Sequence, residues 1–196
     1  MPPKAGLDHA AVVQAAAALA DSAGIGQLTL ADLAARLGVR TPSLYNHVAG
    51  LPGLRRDLAL LGTRELCARI SRATIGKSGD AAVQALCQAY RAFVNEHPGL
   101  YAATVRSALL TGQPDPELNA AQRDTVDIVI MVLSAYKLSG PDAIHAARGL
   151  RSLVHGFATL EASEGFGIPL DLDTSFQQLI QAYIAGLRTR IAEDMA

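Results

Sequence analysis

The 196-residue sequence has no tryptophan, and aromatic residues account for only 5% of it. Cysteine is nearly absent too. Cys67 and Cys87 neither staple a small secreted fold nor supply the four ligands of a structural zinc site. Both are expected as reduced, mostly buried thiols, a redox pair being the alternative. No apolar run reaches the roughly 18 residues that cross a bilayer; the longest, over residues 128–133, falls far short. Met1-Pro2-Pro3-Lys4 leads into an amphipathic pattern with no apolar signal core, so the expectation is a cytoplasmic protein with no membrane contact. Asn-Gly and Asp-Gly hairpin turns are missing, as is any sustained period-two alternation. These absences exclude a membrane span, a disulfide scaffold and a hairpin-built sheet.

Half of the chain is apolar and 18% is charged, which excludes a disordered chain. Thirty-six alanines, the strongest helix former, point to an all-α protein of about nine helices. The 17 basic and 18 acidic residues are unevenly distributed. Residues 1–72 hold eight Lys and Arg against five Asp and Glu, a balance of +3, leaving −4 for the remainder. The first third is the part suited to a polyanion.

Helical spacing predicts a first helix over residues 8–23 that stops at Gly24. A second follows Thr29, which with Asp32 forms a capping box, and ends at Gly38 with Leu30, Leu33, Ala34 and Leu37 at i, i+3, i+4 and i+7. Thr41 is expected to cap a third helix, with Pro42 in its first position and Leu44 and Val48 facing inward. Two short helices joined by a Gly-containing turn form a helix-turn-helix pattern. Further helices are expected from residue 51 or 52 to 73, from 80 to the His97-Pro98 break, and over 100–110, 117–138 and 142–164. The last opens on a Thr174/Gln177 capping box and carries an apolar stripe through Phe176, Leu179, Ile180, Tyr183, Ile184, Leu187 and Ile191. The division expected is a head over residues 1–50, a linker helix over 51–75 and a body over 76–196.

The ordered set Ala23-Gly24, Leu28-Thr29-Leu30, Leu33-Ala34, Leu37-Gly38-Val39, Leu44-Tyr45 and His47-Val48 resembles the DNA-binding head of the tetracycline-repressor (TetR) family. That resemblance spans residues 7–65 and implies a third helix in the major groove of double-stranded DNA, with the protein acting as a two-fold homodimer. Tyr45 and His47 match positions that touch phosphates, and Thr29 is placed to offer its hydroxyl or backbone N–H to another. Arg40, Thr41, Pro42, Ser43 and Asn46 are the base-edge candidates: Arg pairs bidentately with guanine, Asn with adenine, and Pro meets a thymine methyl. Where many relatives open the fourth helix with lysine, this chain has Leu51. Arg55 or Arg56, one turn further on, is the candidate substitute for that missing phosphate contact, and Lys4 in the N-terminal arm is a candidate for an added minor-groove or backbone contact.

Residues 148–167, with His155-Gly156, Leu160-Glu161 and Gly165-Phe166-Gly167, resemble one branch of the same family, without the tryptophan common there. Gly149 and Gly156 lie seven apart on one helix face. Together with Leu153, Leu160, Leu179, Tyr183 and Leu187 they are expected to form a dimer-making four-helix bundle, intramolecular packing being the alternative. The resemblance further implies a small-molecule effector. Tyr90, Tyr101, Arg106, Tyr136, His155 and Phe157, polar or aromatic groups on apolar helices, are its candidate contacts, and a hydrophobic effector is expected.

Catalytic motifs are lacking. Gly76-Lys77-Ser78 has no preceding strand or earlier glycine to make a phosphate loop, and there is no Gly-x-Ser-x-Gly elbow or His-Glu-x-x-His helix. The five histidines are scattered. The expectation is therefore a regulator, most readily a repressor, that needs no cofactor or metal. The rival is a helical small-molecule-binding protein that has lost most DNA binding.

Overall fold

The computed structural model describes residues 7–106 and 115–193, with the backbone alone for Arg106 and residues 190–193. The described residues form nine α-helices and no strand. These are α1 His9–Ala23, α2 Leu30–Leu37, α3 Thr41–Leu44, α4 Gly50–Thr74, α5 Gly79–Glu96, α6 Pro98–Arg106, α7 Pro116–Leu133, α8 Gly140–Ala162 and α9 Leu172–Glu193. The all-α expectation is met. Two compact units emerge: unit 1 holds the chain to Thr63 together with His97–Asn119, and unit 2 holds Arg64–Glu96 with the chain from Ala120 onward. This grouping cuts across the three consecutive segments expected from the sequence.

In unit 1 the Asp8 side chain caps α1 by accepting from the Ala11 N–H at 2.7 Å. Val12, Val13, Ala16, Ala17 and Ala20 make the buried face of that helix. Gly24, at φ 85°, ends it and lets Ile25 and Leu28 fold back into the core. Leu33 and Ala34 of α2, Leu44 of α3, Val48, and Leu54 and Leu58 of α4 are buried in the same unit.

Four expected boundaries are corrected. Thr41 does not cap α3 but is its first residue; Arg40 stands at the cap and makes no side-chain bond. The helix is one turn long, because Tyr45, Asn46 and His47 bond three residues back, to the carbonyls of Pro42, Ser43 and Leu44, and the chain then turns into α4. α7 ends at Leu133 instead of continuing to residue 138. A 3-10 turn, Ser134–Tyr136, carries the Tyr136 ring into the core, where its hydroxyl donates to Asp80 at 2.7 Å, a tertiary bond that overrides local helix preference. The cap of α9 is Asp171, which accepts from the Thr174 N–H at 2.8 Å, so the Thr174/Gln177 box is displaced.

Unit 2 is held by polar bonds as well as apolar packing. Arg91 of α5, 7% exposed, donates to both oxygens of Glu161 on α8 and to Asp173 on α9 at 2.7 Å. Its guanidinium lies 4.8 Å from the centroid of Phe176 and 5.4 Å from that of Phe157. Phe157 contacts the rings of Phe166 and Phe176 at 4.8 and 4.9 Å. The apolar residues Phe176, Ile180, Ile184 and Leu187 of α9 are buried against the rest of this unit.

Candidate nucleic-acid interface

The corner formed by α2 and α3 is built from its caps. Thr29 is extended at the α2 N-cap and its hydroxyl oxygen accepts from the Asp32 N–H at 3.1 Å. The same hydroxyl donates to the Asp32 carboxylate at 2.6 Å. Of the two groups that Thr29 was expected to offer a phosphate, the hydroxyl proton is therefore already taken. Gly38, left-handed at φ 67°, closes α2, with the Val39 N–H reaching back to the Ala34 carbonyl at 3.0 Å. That turn sets the angle at which α3 leaves. Leu44 and Val48 are buried, at 0% and 5% exposure, which turns the remaining side chains of the segment outward.

The outward set is polar. Arg40, Pro42, Tyr45 and Asn46 are exposed, Tyr45 to 61%, and Thr41, Ser43 and His47 are half-buried. Among the described residues none of the side chains of Arg40, Thr41, Ser43, Tyr45, Asn46 and His47 has a hydrogen-bond partner. A row of exposed and half-buried polar side chains without internal partners is what a phosphate backbone and base edges require.

The other sequence candidates fall differently. Arg56 is held by Asp115, through Nε at 2.7 Å and Nη2 at 3.0 Å, by Glu117 at 2.6 Å and by Asp57 at 3.3 Å. This raises the pKa of the guanidinium and lowers that of Asp115 to about 2. The Arg56 guanidinium is thus engaged by three carboxylates of its own chain. Arg55 is partly buried and its Nε has no partner. Lys4 lies outside the described residues, as do residues 107–110 of the expected sixth helix.

Of the effector candidates, Tyr101 belongs to unit 1 and Tyr90, Tyr136, His155 and Phe157 to unit 2. Tyr136 is tied to Asp80, and its hydroxyl pKa is raised by burial first and then by that carboxylate. Phe157 is part of the ring cluster around Arg91. Burial lowers the pKa of half-buried His155, and Arg151 adds to the effect. Tyr90 and Tyr101 are buried. The side chain of Arg106 lies outside the described residues.

Among the interface candidates, Gly149 meets Tyr183 of its own chain: a Cβ there would fall 3.4 Å from Tyr183 Cε2. The Tyr183 hydroxyl donates to the Ala146 carbonyl at 2.5 Å. That close approach is intramolecular, between α8 and α9. Leu187, 4% exposed, is likewise covered within the chain. Leu153 and Leu179 are half-buried, Leu160 is 49% exposed, and the space over Gly156 is open. The sequence reading missed Arg91, Asp115 and Glu117. The lone arginine inside the apolar repeat of residues 83–94 was the available signal for Arg91.

Comparison with known proteins agrees with this architecture. Residues 83–183 match the family model of the tetracyclin repressor-like C-terminal domain. The chain is 36% identical to YobS of Bacillus subtilis, an uncharacterised HTH-type transcriptional regulator, over 95% of its own length and 96% of that relative's. A protein of unknown function from Rhodococcus sp. RHA1 shares the fold with a TM-score of 0.81 at 23% identity, covering 96% of this chain and 99% of that one. BioQ of Mycobacterium smegmatis, solved with its double-stranded DNA operator, gives a TM-score of 0.68 at 25% identity over 93% of this chain and 99% of its own. With a helix-turn-helix corner at one end and a matching body over residues 83–183, the chain belongs to the TetR family of helix-turn-helix transcriptional regulators.

Proposed function

We propose that the protein is a homodimeric repressor that binds a palindromic operator in double-stranded DNA and is released by a small hydrophobic effector. The observation that carries this reading is the partnerless row from Arg40 to His47 on the α2–α3 corner. Tyr45, His47 and the Thr29 backbone N–H hold phosphates and set register. Arg40, Thr41, Pro42, Ser43 and Asn46 meet base edges and supply sequence preference. The operator of BioQ, a structural relative of the same family, supports the DNA half of the reading.

Two copies are needed because a one-turn α3 touches only a few base pairs. Heads about 34–36 Å apart, or a multiple of that, meet successive major grooves. The pairing surface proposed is the outer side of α8 and α9, through Gly156, Leu160, Leu153 and Leu179, with Gly149 and Tyr183 at its margin. Leu187 is removed from this set because its own chain covers it. The effector contacts proposed in unit 2 are Tyr90, Tyr136, His155 and Phe157, polar or aromatic groups on its apolar helices. A ligand that favours a different head separation shifts the population away from the DNA-bound form in proportion to its differential affinity.

The test is quantitative footprinting on DNA flanking the protein's own gene, with stoichiometry from light scattering of the complex. The proposal requires one protected two-fold symmetric site and two chains per site. Protection of a single half-site by one chain would refute the dimer, and no protection would leave only an effector-binding protein of this fold.

A further inference from the structure

Arg56 of α4 is one cation shared by three carboxylates, all in unit 1, the unit that carries the α2–α3 corner. Its Nε and Nη2 donate to the two oxygens of Asp115 at 2.7 and 3.0 Å, Nη2 also to Glu117 at 2.6 Å, and Nη1 to Asp57 at 3.3 Å. A guanidinium has five N–H donors, and these bonds use both that Nη2 carries. A phosphate is held best by two parallel N–H groups on one edge of the fork. Each edge includes Nη2 or the Nε beside it, so no such pair is open while Asp115 and Glu117 stay in place.

The place of Arg56 on α4 sets what else it can reach. Gly50, the first residue of α4, adjoins the corner: a Cβ there would stand 3.9 Å from Cε1 of Tyr45. From Gly50 to Arg56 the helix rises about 9 Å. Long helical side chains lean toward the N-terminus of their helix and cover the turn before their own Cα. Arg56 turned that way brings its guanidinium toward the opening turn of α4, whose dipole favours an anion. The bonds that hold it elsewhere are open to water, the Arg56 side chain being 27% exposed and that of Glu117 49%. Ion pairs of this kind add little to stability and exchange readily for another anion. Asp115 is kept opposite Arg56 by its second task as the cap of α7, where it accepts from the Leu118 N–H at 3.0 Å.

We propose that Asp115 and Glu117 form an autoinhibitory contact that withholds Arg56 from the DNA backbone. The two carboxylates take the place at the guanidinium that a phosphate would fill, and so lower the affinity of the head for every duplex alike, without touching base preference. The inference rests on the DNA-binding reading of the corner, and involves unit 1 alone.

The test is a cycle of full-length variants: parent, Asp115→Asn with Glu117→Gln, Arg56→Met, and all three changes together. Each is titrated by fluorescence anisotropy on a duplex of scrambled sequence across a salt series, since phosphate contacts are independent of sequence. Thermal melting checks each fold. Where the double variant does not fold, Asp115→Asn alone, which removes the charge at the Nε–Nη2 edge and keeps a capping oxygen, enters the same cycle. Expected is tighter binding by the charge-removed variant, with the log–log salt slope larger in magnitude by about 1, the mark of one added phosphate contact. Arg56→Met cancels that increment in the charge-removed background and leaves the slope of the parent unchanged. No increment overturns the inference. So does an increment that survives Arg56→Met, which is the general effect of lost negative charge, and so does a parent slope that falls on Arg56→Met, which puts Arg56 on DNA already. A parent that binds no duplex at any salt concentration overturns the DNA-binding reading of the corner and the inference with it.

Discussion

The polar side chains of the α2–α3 corner and those of unit 2 are used in opposite ways. On the corner, Arg40, Tyr45, Asn46 and His47 reach solvent with no partner in the chain. In unit 2, Arg91, Tyr136 and Tyr183 each bond to another element, Arg91 while almost fully buried. A surface made for a ligand of fixed charge keeps its donors open, because an internal bond would have to break before DNA could bind. A helical body lacking tryptophan and poor in aromatic residues instead uses its few large and polar side chains to join α5, α8 and α9. The distinction is between groups left for a partner and groups that hold the fold.

Substitutions sharpen that contrast, and the largest effect belongs to unit 2. Arg91→Ala leaves Glu161 without its bidentate partner under the Phe157 and Phe176 rings, and is expected to cost about 3–5 kcal/mol in denaturant unfolding. An unfolding midpoint equal to the parent's would place Arg91 outside the framework. On the corner, Asn46→Ala is expected to relax base preference at one operator position by about 1–3 kcal/mol, read by competition among operator variants. His47→Ala and Tyr45→Phe should instead weaken binding to all sequences alike, lowering the magnitude of the log–log salt slope by about 1 for each lost phosphate contact. All three should keep melting behaviour within about 0.5 kcal/mol of the parent, as surface changes do.

Two smaller effects concern titratable groups. Burial pushes the Cys87 thiol up to about 12, so the native protein should leave it unlabelled by a thiol reagent at neutral pH while the unfolded chain labels fully. Rapid native labelling of Cys87 would revive a redox role. The guanidinium of Arg56, then the Leu118 N–H, lowers Asp115 to about 2. A carboxylate depressed in the folded state contributes stability above its ordinary pKa and loses it as pH falls through the folded value. The parent should therefore lose a small increment between about pH 4 and pH 2 that Arg56→Met lacks, visible as a difference in acid unfolding curves.

Much of this was legible in the sequence where a local rule governs. Thr29, Gly38 and the Leu33–Leu44–Val48 core set the corner through capping and periodicity alone, and each stands where those rules place it. What escaped depends on contacts distant in sequence. The Tyr136–Asp80 bond ends α7 early, Asp21 bonds to His97 and Leu100, 76 and 79 residues on in sequence, and Asp115 and Glu117 claim an arginine that local spacing left open for DNA. Gly149 shows the same limit. Its position on a helix face announced a close approach, but only the fold identified the neighbour as Tyr183 of the same chain.

The central claim, that the open donors of the corner read DNA, is tested most directly by fluorescence anisotropy of the purified protein on the DNA flanking its own gene and on scrambled DNA, across a salt series. The account predicts tight, steeply salt-dependent binding at one palindrome, with far weaker binding to the scrambled duplex. Equal and weak binding to both at every salt concentration would contradict it.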